Sequence, residues 1–86
     1  MNQDIIVNDD LNWQPDQQRV AFSAQWFGGQ VACFISLSQL EHLSGQPLVD
    51  EASIMLAFES VRFDIEEKVT ELINQEAFGP DGGLYL

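Results

Sequence analysis

From Arg19 to Ser36 the chain alternates. In RVAFSAQW, residues 19–26, the apolar Val20, Phe22, Ala24 and Trp26 are separated by Arg19, Ala21, Ser23 and Gln25. A period of two is the mark of a strand with one buried face. Gly28 and Gly29 follow, and two glycines accept the positive φ angles of a two-residue hairpin turn. With those two as the loop, Phe27 pairs with Gln30, Trp26 with Val31, Ala24 with Cys33 and Phe22 with Ile35. The last six of these then share one face, and Gln25, Ser23 and Phe34 share the other.

Past the hairpin the period lengthens. Ser36 precedes LSQLEHL, in which Leu37, Leu40 and Leu43 give a short helix over about 37–43 an apolar side. Gln39 completes a capping box with Ser36, and Gly45 with Pro47 ends the helix. Asp50 opens a long helix over about 50–77, with Glu51 in its first turn, and Gly79-Pro80 closes it. At about 100° per residue, Ile54, Phe58, Val61, Ile65, Val69 and Leu72 fall in one arc, with Met55 and Ile73 at its edge. Upstream, DIIVN at 4–8 predicts a short strand ended by Asn8-Asp9-Asp10. NWQPDQQ at 12–18 predicts a loop, PDGG a turn, and LYL at 84–86 a last strand. The expected fold is α+β in a single domain, residues 1–86. A small antiparallel sheet, the 19–36 hairpin plus N- and C-terminal strands, is covered by the long helix.

Two adjacent positions disturb that helix. Arg62 falls at the margin of the apolar arc, with Glu59 three residues before it and Glu66 four after. Its stem can lie on the core edge while its guanidinium meets those carboxylates. The alternative is an anchor for an anionic ligand in a cleft between helix and sheet, near Trp26. Phe63 points away from the arc, and Leu56, seven residues earlier, points the same way. Two apolar residues on one line of an acidic face mark an interface.

Fourteen acids against three bases (Arg19, Arg62 and Lys68) give a net charge of −11. Such a surface repels nucleic-acid backbones and anionic membranes, and it attracts a basic protein partner. No stretch of the sequence approaches transmembrane length, and MNQDIIVNDD lacks a basic n-region, so a cytoplasmic location is expected.

Candidate chemistry is sparse. Cys33 is the one thiol and His42 the one imidazole. Cys33 falls on the predicted core face, where a thiol is inert. No paired-cysteine or paired-histidine spacing suits zinc, and Asp64, Glu66 and Glu67 diverge around a helix rather than line a calcium loop. FGGQ lacks the length and the following helix of a phosphate loop. No cofactor, metal or catalytic set is expected.

Short motifs in order carry a resemblance. QRVAF at 18–22, CFIS at 33–36, QLEHL at 39–43, DEA at 50–52, AFESVRFDI at 57–65 and a terminal GGLYL resemble the small bacterial proteins grouped as domain of unknown function 1488. Phe58, Arg62 and Ile65 fill that family's pattern of a Phe, an Arg four on and an Ile three further. The resemblance implies a stand-alone bacterial α+β fold without established activity, and it supplies no catalytic residue. The acidic balance of this chain departs from the more basic members. The function expected is a non-enzymatic interaction or regulatory module, homodimeric through Leu56 and Phe63. The rival is a small anionic-ligand binder at Arg62 and Trp26, and an enzyme is the third reading.

Overall fold

A computed structural model describes residues 5–86. The long hairpin forms its centre: β3 (Arg19–Trp26) and β4 (Gly29–Ser36) pair antiparallel over their full lengths. β1 (Ile6–Val7) and β2 (Asn12–Gln14) both pair antiparallel with the far side of β3. Asp4 of the expected first strand lies outside the described residues. α1 (Leu37–Ser44), α2 (Glu51–Ser60) and α3 (Arg62–Asn74) follow, and β5 (Leu84–Tyr85) closes the sheet on the free side of β4.

Four details differ from expectation, each for a local reason. The turn is Phe27-Gly28, both at positive φ, and Trp26 pairs with Gly29. The register is therefore displaced by two residues, with Phe22 opposite Cys33 and Val20 opposite Ile35. A two-residue displacement preserves the side-chain faces, so Phe22, Cys33 and Ile35 are still buried and Phe34 is still on the outer side. A left-handed Phe costs about 1–2 kcal/mol. Contact of its ring with Trp26, tilted by 33° with centroids 5.2 Å apart, offsets part of that.

The sheet is mixed, because β5 runs parallel to β4. The helices form a crossover that returns the chain in the same direction, which a hairpin cannot do. The expected loop at 12–18 begins as β2, whose Trp13 lies opposite Val20 and packs on the core. Only the Pro15–Gln18 stretch is a turn.

The long helix is two helices, and the second ends at Asn74 rather than near 77. Val61 departs from helical geometry at φ −110° and ψ 19°. The Ser60 hydroxyl donates to the Ala57 carbonyl at 2.8 Å, a competition with the backbone ladder that bends helices. The buried stripe turns with the break: Val61, Ile65, Val69 and Ile73 recur every fourth residue, and Leu72 moves to the edge. At the helix end Glu76 takes φ 53°, and the Ala77 amide donates back to the Leu72 carbonyl.

Capping follows the sequence closely. Asp50 accepts from the Ser53 amide and the Asp50 amide donates to the Ser53 hydroxyl, so both free ends are satisfied. Ser36 accepts from the Gln39 amide, one half of the capping box expected there. One apolar cluster joins the layers, with Phe58 edge-on to Phe22 at 5.1 Å. The helices cover one side of the sheet. On the other side lie Ile6, Arg19, Ala21, Ser23, Gln25, Gln30, Ala32, Phe34 and Tyr85, none of them fully buried.

Candidate functional site

Arg62 opens α3, and its guanidinium is heavily engaged. Nη2 donates to the Val7 carbonyl at 2.6 Å, and Nη1 meets Asp9 at 2.8 Å and Glu59 at 3.4 Å. Nε faces Glu66 at 3.4 Å. The local partners are those the i,i+3 and i,i+4 spacing predicts. The long-range partners come from the N-terminal strand. Arg62 thus ties β1 to the helical layer at the break, and an anion placed there competes with three carboxylates. Trp26 keeps different company: its ring stacks on Phe78 at 6.0 Å and meets Phe27 at a tilt.

Phe63 and Leu56 are exposed at 70% and 72%. The break at Val61 puts them on different helices. Phe63 lines an open groove of about 640 Å³ along α3. Ile5, Glu66, Glu67, Thr70 and Glu71 line it as well. The Thr70 hydroxyl donates back to the Glu66 carbonyl at 2.9 Å. The groove ends at Asn74 and Gln75, where the carbonyl end of α3 carries partial negative charge and no basic side chain stands in the last turn. Leu56 is not part of it. A smaller cavity of about 260 Å³ lies between α1 and α3, with His42, Asp64 and Lys68 at its rim.

The outer side of the sheet holds a second constellation. The Arg19 guanidinium sits 4.0 Å above the Phe34 ring, and its Nε donates to Gln14 at 2.7 Å. Phe34 stacks on Tyr85 at 5.0 Å, and the Tyr85 hydroxyl donates to Asp81 at 2.6 Å. A Cβ at Gly83 would come within 3.1 Å of the Phe34 ring, so a side chain there would push the ring aside, and glycine lets the chain pass close. Nearer β1, Asp10 accepts from both the amide and the hydroxyl of Ser23. Burial pushes the Asp10 carboxyl up, but these bonds from Ser23 outweigh it and hold the group below the usual range. The sequence did signal this face: no acid occurs between Gln17 and Leu40.

The one thiol is withdrawn from solvent. Cys33 is fully buried, and burial, with a smaller contribution from Asp10, pushes its thiol up to about 12. His42 is exposed on α1. Among the described residues no three His, Cys, Asp or Glu side chains converge as a metal site, and no helix is long and apolar enough to cross a membrane.

A family model described as a protein of unknown function, DUF1488, matches residues 5–86. The chain belongs to the DUF1488 family. A crystal structure at 1.60 Å of a protein of unknown function from this family, from Shewanella loihica PV-4, is similar over 100% of this chain and 94% of that one. The TM-score is 0.93 and the identity 37%. No curated protein matches. In this DUF1488 chain the Phe58, Arg62, Ile65 pattern has a structural meaning. Phe58 and Ile65 are fully buried on either side of the break, and Arg62 fastens β1 beside them.

Proposed function

We propose that this DUF1488 chain is a non-enzymatic interaction module whose groove along α3 receives a basic, amphipathic segment of another protein. One observation carries this: Phe63 stands exposed in a groove lined by Glu66, Glu67 and Glu71. An apolar anchor ringed by carboxylates matches a partner that alternates apolar residues with Lys or Arg. A cation at the end of the groove also meets the helix C-terminus, which this chain leaves without a base of its own. A homodimer through this face is disfavoured, because a two-fold would set the same carboxylates against each other. The anion-binding reading of Arg62 has less support, since its donors are engaged. The Shewanella relative supports a bacterial origin, and a cytoplasmic setting is part of the same proposal.

The test is titration of a labelled helical peptide of alternating Leu and Lys against wild type and Phe63→Glu, at low and high salt. Wild type binds, and more weakly at high salt, since screening acts over about 10 Å at 0.1 M. Phe63→Glu adds negative charge, so attraction by charge alone predicts tighter binding to the variant. A loss of roughly tenfold or more instead identifies the groove. Equal or tighter binding by Phe63→Glu overturns the proposal.

A further inference from the structure

The described strands contain no Asp or Glu, although the chain has fourteen acids. The strand positions on the uncovered side therefore present amides, small residues, the Phe34–Tyr85 pair and one cation, Arg19, while the carboxylates of Asp10 and Asp81 reach this face from loops, held by Ser23 and Tyr85. On a chain of net charge −11, this is a surface where two copies meet without opposing carboxylates at the strand positions. We propose that two copies of this chain associate through the open sheet faces, stacked about a two-fold axis. This surface is distinct from the α3 groove, and the inference does not depend on it.

The geometry selects an axis. Ile6 stands opposite Gln25 on one edge strand, and Tyr85 stands beside Phe34 on the other. Both are about half exposed, at 53% and 47%. Phe34 pairs with Ala21, so the two lie at diagonal corners, separated by three strand spacings and four residues along the strand. At about 4.8 Å per strand and 3.3 Å per residue these separations are about 14 and 13 Å. They are nearly equal. A two-fold lying between the faces along the other diagonal therefore places Ile6 of each copy over Tyr85 of the other. It also crosses the strands near a right angle, one of the two ways in which sheets stack.

Two further observations agree with this axis. It passes over the Ser23–Ala32 pair, whose small side chains allow the sheets to close to about 10 Å. The Arg19 guanidinium, held above Phe34, then stands opposite Asp10 of the other copy, whose carboxylate is fixed beside Ser23. Each contact occurs twice by symmetry. The face covers on the order of 400 Å² per copy, about half of a standard interface, so the dimer is of the weak, micromolar class.

Sedimentation equilibrium from low to high micromolar concentration tests the association. Wild type shows a monomer–dimer equilibrium. Ala32→Glu, at an exposed position next to the axis, sets a carboxylate against its symmetry mate and weakens association at least about tenfold, with an unchanged circular dichroism spectrum. Phe63→Glu leaves it unchanged. The axis has its own test: Ile6→Cys and Tyr85→Cys, mixed under mild oxidation, form a disulfide-linked heterodimer faster than either forms a homodimer. Buried Cys33 does not compete. A wild type that stays monomeric throughout, an Ala32→Glu variant that dimerises undiminished, or preferential linking of Ile6→Cys to itself overturns the proposal.

Discussion

Two surfaces of this small domain leave apolar side chains uncovered, and they differ in what surrounds them. Along α3, Phe63 and Ile5 share a groove with Glu66, Glu67 and Glu71. Across the sheet, Ile6, Phe34 and Tyr85 share a face whose strand positions hold no acid. Apolar area alone does not distinguish them. Charge does: the first surface repels a second copy and attracts a cation-bearing partner, and the second lacks that repulsion. Association at the groove should therefore weaken with salt, whereas stacking at the sheet should change little.

Both surfaces rest on one core, and the largest expected effect comes from disrupting it. Phe58 is fully buried and edge-on to Phe22, so it joins the helical layer to the sheet. Phe58→Ala removes that contact and leaves a cavity, at about 3–5 kcal/mol. In a domain of this size each kcal/mol lowers Tm by about 4–8 °C. Denaturant unfolding followed by tryptophan fluorescence and by circular dichroism should shift together in this variant. If one layer survived the loss of the other, the two surfaces would be independent units and their comparison would fail.

Arg62 gives a smaller effect that bears on both surfaces through β1. Its bond to the Val7 carbonyl holds the strand that carries Ile6 on the sheet side and follows Ile5 of the groove. Arg62→Ala leaves that carbonyl without this donor and sets Asp9, Glu59 and Glu66 together without their cation. A loss of about 1–3 kcal/mol is expected, partly restored by salt. Amide exchange should quicken at Asn8, which donates to the Ser23 carbonyl, more than in the centre of β3 and β4. Unchanged stability combined with loss of a bound anion would instead favour the ligand-anchor role.

The sequence showed parts of this and hid others, for physical reasons. The faces of the hairpin were legible because alternation fixes parity, and parity survives a two-residue displacement. The register was not, because Gly28-Gly29 suit a turn better than Phe27-Gly28, and the tilted contact of the Phe27 ring with Trp26 leaves no mark in the pattern of apolar positions. The helix break was hidden because it rests on Ser60, with neither Gly nor Pro at the site. Trp13 was read as loop because three residues are too few to show a period. At Arg62, the partners three and four residues away followed from helical spacing. Asp9 and the Val7 carbonyl did not, since contacts across more than fifty residues leave no local pattern. The open sheet face had a legible mark in the acid-free run from Gln17 to Leu40, but a missing residue type is easily passed over.

The smallest effect concerns Tyr85, the only tyrosine, which can be titrated by ultraviolet absorbance without a label. Its hydroxyl donates to Asp81, and that bond, with lesser help from burial and from the Asp81 charge, raises its pKa above the usual 10. Arg19 opposes the shift without cancelling it. For a raised acid, the linked stability is fully present below the unfolded value and is lost as pH rises through the folded one. The absorbance midpoint of the monomer should therefore lie above that of free tyrosine, and Asp81→Asn should bring it back down. The two uncovered surfaces predict different responses to concentration. Stacking of sheet faces covers Tyr85 with Ile6 of the other copy, so the midpoint should rise further as protein concentration increases through the micromolar range. Saturating the α3 groove with the basic peptide should leave it where it was. A midpoint that moves with peptide and not with protein concentration would mean that the groove, rather than the open sheet face, communicates with Tyr85.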